Sequence, residues 1–283
     1  MITTVGVIGA GTMGAGIAQV AAQFGFPVLF HDVADEMLTR GQLAIAQDLQ
    51  RIVDRGKMGK DEADAILTRI HPAPQLDAMR SASLVIEAVV ERIDVKQELF
   101  ANLDVVCTRD TILATNTSSL SVTEIASAVR YPERVVGMHF FNPVPRMRLV
   151  ELVRGHRTKE EYIIEARAFI EALGKDVVLA KDSPGFIVNR VARNFYGESL
   201  RLLDEGVGTV EVIDRAVRAL GLAMGPFELM DMIGIDINLA VTESVYEQFY
   251  HEPRFRPHPI QRKMVQARLL GRKTKQGFYR YDD

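Results

Sequence analysis

VGVIGAGTMG at residues 5–14, followed by VLFHD ending at Asp32, is the stretch that decides the fold. Its first four residues are continuously apolar and read as a buried strand. Met13, Ile17, Val20, Ala21 and Phe24 then recur at helical spacing, and Gly25 stops the pattern. A strand, a helix and a second strand make a parallel crossover, the opening of a doubly wound sheet. Glycines at 9, 11 and 14 either cradle a dinucleotide or merely let the strand turn tightly into the helix. The context favours the cradle: a strand precedes Gly9, a helix opens near Gly14, and an acidic residue closes the next strand about 20 residues on. Gly9 makes the turn, Gly11 admits a pyrophosphate to the backbone, and Gly14 brings helix and strand close, with Thr12 and Met13 inside the turn. The helix start supplies unpaired N–H groups to phosphate. Asp32 is placed to accept from the adenosine ribose hydroxyls, and a 2′-phosphate there would face a carboxylate. NAD is therefore expected over NADP.

Working outward, LVIEA, ILAT, VVGM, LVELV and DVVLA read as further strands of the same sheet. Residues 34–70 break the rhythm. Ile45, Leu49, Ile52 and Val53 form one helical stripe and Ala63, Ile66, Leu67 and Ile70 another, with GKMG between them, so a helical hairpin is inserted after the second strand. Arg51, Arg55, Lys57 and Lys60 near its turn read as a solvated face or as contacts to an anionic ligand. Beyond KDSPGF strand signals nearly vanish. Ser183 is expected to cap a helix with Pro184 in its first turn, and helices are expected over roughly 209–220, 226–248 and 258–270. The fold class is α/β: a Rossmann-type doubly wound sheet with an inserted helical hairpin over 1–182, and an all-helical domain over 183–283.

The 283 residues carry a formal charge of −3, with 47% hydrophobic and 25% charged residues. That mild balance gives no support for nucleic-acid binding, which calls for a concentrated basic excess. No apolar run approaches the roughly 18 residues a bilayer span needs, so no membrane partner is expected. A single cysteine, Cys107, rules out an intramolecular disulfide framework and favours a reducing, cytoplasmic setting. It reads as a passive, partly buried thiol. There is no Cys/His cluster with ligand spacing, and no metal is expected.

A dinucleotide needs a partner reaction. ATNTSSL at 114–120, GMHFFNPVP at 137–145, LVELVRG at 149–155 and KDSPGFIVNR at 181–190 hold the polar residues for one. Asn116, Ser118 and His139 follow or close strands, and ligands of open parallel sheets gather at strand C-terminal ends. His139 is the natural general base, because an imidazole exchanges protons near neutrality. Glu151 on the next strand could orient that ring and stabilise its charged form. His31, His71, His156, His251 and His258 read as hydrogen-bonded core histidines. Asn116 also suits a plain turn, Asn189 a helix surface, and Glu91 with Lys96 ordinary surface charges. FFNPVP also suits a stiff extended loop, since Pro143 and Pro145 restrict the backbone.

Together these blocks, from GAGTMG to the closing GRKTKQGFYRY, resemble the L-3-hydroxyacyl-CoA dehydrogenase family over the whole chain. The resemblance implies NAD-dependent oxidation of a (3S)-3-hydroxyacyl-CoA, short-chain as in 3-hydroxybutyryl-CoA, to the 3-oxoacyl-CoA, and the reverse. It makes His139 the base, Glu151 its partner, Ser118 the serine that holds the reacting oxygen, and Asn189 an asparagine that positions substrate. Glu91, Lys96, Asn116, Ser118 and Asn142 join Asp32 as NAD contacts, and Lys273 matches a late lysine that reaches the cofactor in some members. Asp48 and Arg55 on the inserted hairpin are the nearest matches for contacts to the CoA arm. The helical domain is implied to carry part of the substrate site and the homodimer contact, for which the apolar faces of Ile213, Val217 and Leu220 are suitable. Two other functions compete: a β-hydroxyacid dehydrogenase acting on a free acid, and a non-catalytic NAD-binding relative that kept the fold.

Overall fold

Val5–Ile8, all buried, form the strand β1, and Thr12–Gln23 form the helix α1 behind it. The computed structural model describes residues 1–281. Gly14–Ala22 are buried without a break, so α1 lies sunk in the core rather than on its rim. Small residues permit this, because glycine and alanine let neighbouring elements approach closely. The helix ends where Gly25 takes φ +90° and the Phe26 amide donates to the Ala21 carbonyl at 3.0 Å, a glycine-terminated helix end.

The chain continues through β2 (Val28–His31), α2 (Asp35–Asp54), α3 (Lys60–Thr68), β3 (Ile70–Pro72), β4 (Leu84–Glu87), α4 (Ile93–Val106), β5 (Ile112–Thr115), α5 (Val122–Ala126), β6 (Val135–Phe140), β7 (Leu149–Arg154), α6 (Glu160–Ala172) and β8 (Asp176–Lys181). The strands form one eight-stranded sheet in the order β3-β2-β1-β4-β5-β6-β7-β8. All neighbours are parallel except β6 and β7. All seven strand segments read from the sequence are present. The strand missed is β3, where only Ile70 is buried and the ladder to β2 does the rest.

The inserted hairpin is α2 and α3. Leu38, Ile45 and Leu49 of α2 and Ala63 and Ile66 of α3 face the core. Arg51, Arg55, Lys57 and Lys60 are exposed, as a solvated face would be. Among the described residues no helix is long and apolar enough to cross a membrane.

The chain divides into two units, Met1–Ser183 and the part from Pro184 onward. The second holds α7 (Val188–Asp204), α8 (Val210–Ala219), α9 (Pro226–Ile233), α10 (Ile235–Gln248) and α11 (Pro259–Gln266) around Tyr196, Leu200, Ile213, Phe227, Met230 and Ile235. Several sequence expectations are corrected here. Ser183 does not cap a helix: Gly185 and Phe186 take φ of +72° and +47°, which delays α7 to Val188, with Ile187 at its N-cap. The helix expected over 226–248 is two helices, broken where Gly234 takes φ +101°. The last helix stops at Gln266, short of the expected 270. Ile213 faces this unit's own core rather than a partner.

Two buried aspartates organise the second unit. Asp214 accepts from the Phe227 and Glu228 amides at 2.9 and 3.0 Å and from the Tyr279 hydroxyl at 2.8 Å. Asp231 accepts from the Phe278 and Tyr279 amides at 3.0 and 2.9 Å and from the Tyr281 hydroxyl at 3.0 Å. The GFYRY segment that closes the chain is thereby tied to α8 and α9.

Candidate active site

His139 and Glu151 are direct cross-strand partners in the antiparallel ladder of β6 and β7. Opposed residues in a ladder project to the same face, so register alone brings them together. His139 Nδ1 lies 2.7 Å from Glu151 Oε2, and both side chains are buried. A carboxylate can only accept, so Nδ1 carries the hydrogen and Nε2 is left as the ring's basic nitrogen. The Phe141 ring packs against the imidazole at 4.3 Å between centroids, fixing its plane from the other side.

Several other candidates of the first unit, Asn116, Ser118 and Glu91 with Lys96, collect beyond the C-terminal ends of β4 and β5. Asn116 follows β5; its Oδ1 accepts from the Phe140 amide at 2.9 Å, tying β5's end to the residue after His139. Ser118 lies two residues on, its amide donating to Glu91 Oε1 at 2.9 Å. Glu91 also accepts from the Thr117 hydroxyl at 2.6 Å and lies 3.2 Å from the Lys96 ammonium. Burial opposes its charge, but Lys96, Thr117 and Ser118 outweigh that and hold the carboxyl below its usual range. Lys96 is no surface charge, being 1% exposed against Glu87, which is wholly buried at the end of β4. From the far side Asp182 accepts from the Ser121 hydroxyl and from the Val122 and Thr123 amides, pinning the start of α5.

The glycine turn fits NAD. Gly9 has φ +99°, and a Cβ there would sit 2.5 Å from the Ala88 carbonyl oxygen. A Cβ on Gly14 would meet the Gly9 carbonyl oxygen at 1.7 Å, whereas one on Gly11 would meet nothing within 4 Å. The outer two glycines are thus required by the fold, and the middle one leaves open space above the N-terminus of α1, as a pyrophosphate needs. Thr12 and Met13 form that helix's first turn. Asp32 directly follows β2, accepting from the Ala10 amide at 2.7 Å and the Ala34 amide at 3.1 Å, which aims the carboxylate across the turn.

Other expected residues fall elsewhere. Asn142 is exposed at the cis bond to Pro143, and FFNPVP forms bends and a turn rather than an extended loop, because Lys175 draws the Val144 and Met147 carbonyls onto its ammonium at 2.7 and 2.8 Å. Asp48 accepts from Gln19 of α1 at 3.0 Å, and Arg55 is exposed at the end of α2. Asn189 is the second residue of α7, and Lys273 pairs with Asp236 at 2.6 Å within the second unit. Of the histidines read as core, His31 is buried, with Nδ1 2.7 Å from the Ala73 carbonyl; His71 on the edge strand β3, His156 in a turn and His251 past the end of α10 are exposed, and His258 is half-buried at the N-cap of α11. Cys107 is buried, its thiol pushed up to about 11 chiefly by desolvation. The residues missed are Glu87, Thr115, Thr117 and Lys175. Only Glu87 had a readable signal, a carboxylate closing an apolar strand.

Known proteins place this arrangement. The model for the 3-hydroxyacyl-CoA dehydrogenase NAD binding domain matches residues 4–183, and that for the 3-hydroxyacyl-CoA dehydrogenase C-terminal domain matches 185–281. The chain belongs to the 3-hydroxyacyl-CoA dehydrogenase family, whose members are NAD-dependent oxidoreductases. It is 48% identical over 279 residues to the 3-hydroxyadipyl-CoA dehydrogenase of Escherichia coli K12, covering 98% of this chain but 59% of that protein. It is 43% identical to the 3-hydroxybutyryl-CoA dehydrogenase of Bradyrhizobium diazoefficiens, covering 99% of this chain and 96% of that one. The crystal structure of (S)-3-hydroxybutyryl-CoA dehydrogenase from Ralstonia eutropha matches with a TM-score of 0.96 at 39% identity, covering both chains fully.

Proposed function

We propose that the protein interconverts (3S)-3-hydroxyacyl-CoA and 3-oxoacyl-CoA with NAD, with short acyl chains such as 3-hydroxybutyryl as substrate. The observation that carries this reading is the buried His139–Glu151 pair, set by strand register at the carboxyl edge of a sheet whose first turn fits NAD. Bound NAD would supply the two-electron acceptor. In oxidation His139 Nε2 takes the proton of the substrate hydroxyl while Nδ1–H stays on Glu151, whose carboxylate stabilises the imidazolium. In reduction the imidazolium returns that proton to the 3-oxo oxygen. Ser118 and Asn189 hold the reacting oxygen, and such donors are effective only when aligned beforehand. Asp32, Glu91, Lys96, Asn116, Asn142 and Lys273 hold the cofactor, and the hairpin bearing Asp48 and Arg55 takes the CoA arm.

The reading includes a homodimer formed by the second unit, supported by the exposed Leu220, Ile237 and Val212 (82%, 50% and 45%). It also includes a cytoplasmic setting, supported by the buried free thiol of Cys107. The deciding experiment follows NADH consumption over a ladder of 3-oxoacyl-CoA lengths, with a 3-oxo-dicarboxylyl-CoA and the free acids alongside. Turnover of the short thioesters is expected. Preference for the dicarboxylyl thioester would move the substrate toward that of the Escherichia coli relative, and equal turnover of free acids would overturn the CoA assignment.

A further inference from the structure

We propose that Glu87 is a positioning residue, fixing the pose of Ser118 through Lys96 and Glu91; its kinetic consequence rests on the function proposed above. Glu87 ends β4, a central strand held between β1 and β5. One carboxylate oxygen accepts from Lys96 Nζ at 2.5 Å and from the Val89 amide at 2.7 Å, the other from the Thr115 hydroxyl at 2.7 Å. Lys96 reaches on to Glu91 Oε2 at 3.2 Å. The other oxygen of Glu91 takes the Thr117 hydroxyl at 2.6 Å and the Ser118 amide at 2.9 Å, with the Ser118 and Ser119 hydroxyls each 3.4 Å away. The Thr117 hydroxyl oxygen in turn accepts from the Leu120 amide at 2.9 Å. The chain of contacts therefore runs from the rigid middle of the sheet to the loop that carries Ser118.

Two features separate this from ordinary core stabilisation. A buried ion pair contributes little net stability compared with apolar residues of the same shape, so packing alone does not call for one here. Glu91 is also 39% exposed, and a carboxylate open to water on one side holds one rotamer only if something rigid fixes it. Lys96 does that, and at 1% exposure its ammonium is itself anchored on Glu87 at the end of β4.

Glu87→Gln keeps the shape and removes the charge, while Thr115→Val and Thr117→Val remove one hydroxyl each without changing bulk. For Glu87→Gln, kcat per folded enzyme is expected to fall about tenfold to a hundredfold, the scale of a small misplacement of a reacting group. Smaller losses are expected for the threonine variants. Amide hydrogen exchange should accelerate in a peptide spanning 116–121 and not in one spanning 135–140. A lower Tm with unchanged kcat per folded enzyme, or exchange that accelerates across the whole sheet, would overturn the proposal by reducing Glu87 to a structural part. If Glu87→Gln does not fold, the two threonine variants decide by the same readouts. A wild-type protein inert toward every 3-oxoacyl-CoA would sink the proposed function, while the exchange comparison still decides whether Glu87 orders the loop.

Discussion

Glu151 in the first unit and Asp231 in the second are both essentially inaccessible to solvent, yet they are held in opposite ways. Glu151 faces an imidazole that can gain and lose a proton, whereas Asp231 faces amides and phenol hydroxyls that stay as they are near neutral pH. Burial is the same and the partners differ. A carboxylate with titratable company can take part in proton movement; one surrounded by fixed donors can only hold the chain in place. Glu151 thus lies beside a proton-carrying ring at the carboxyl edge of the sheet, while Asp231 fastens the GFYRY segment.

The sharpest way to break this contrast is to exchange the consequences. His139→Ala should lower kcat per folded enzyme on the order of 10²–10⁴-fold, the range for loss of a positioned general base, with NAD binding little changed. Near wild-type turnover in that variant would remove His139 from the chemistry. Asp231→Ala should do the reverse, destabilising by about 3–5 kcal/mol as several buried donors lose their acceptor. Chemical denaturation measures it, and kcat per folded molecule should be preserved. Gly277→Ala should act in the same direction, since its Cβ would fall 2.1 Å from an Asp231 carboxylate oxygen.

Acid titration sharpens the comparison further. Asp104 works against burial but is held below its usual 3.8 by Arg130 and Arg134. Its stabilisation is present above that value and is lost as pH falls through the lower folded one. In Asp214 burial wins over three hydrogen bonds and raises the carboxyl, so this group takes up a proton in the folded state first and acidification favours folding there. Asp104→Asn should flatten the loss of stability below about pH 4, and Asp214→Asn should steepen it, as read from denaturation midpoints at successive pH values. The smallest effect concerns cofactor choice. Replacing Asp32 by Ser should relax discrimination against NADP about tenfold or less, as ratios of kcat/KM for the two cofactors will report.

Much of the first unit was legible because its signals are local. Gly25 announces the end of α1, and continuous apolar runs announce strands buried on both faces. β3 was not legible, since Ile70–Pro72 owes its extended form to pairing with β2 rather than to its own pattern. Gly234 was misread for a related reason: glycine is tolerated inside helices, and only its positive φ marks the break. Within the site, His139 and Glu151 could be paired in advance because adjacent strands present them. The Glu87–Lys96 pair could not, because VVERIDVK looks the same whether its charges are in water or in the core. Asn189 and Lys273 owe their place among the site candidates to family resemblance, since nothing in the residues around them signals a ligand.

One consequence follows from the reversal of direction between β6 and β7. The spacing of His139 and Glu151 is metered by the ladder's own repeat, not by the length of the connection over 141–148. Residues could be added to or trimmed from that connection beyond Phe141, and His139 and Glu151 would keep their separation as long as the two strands keep their pairing. The separation of the pair and the length of the loop between its strands are in this sense inherited by different stretches of chain.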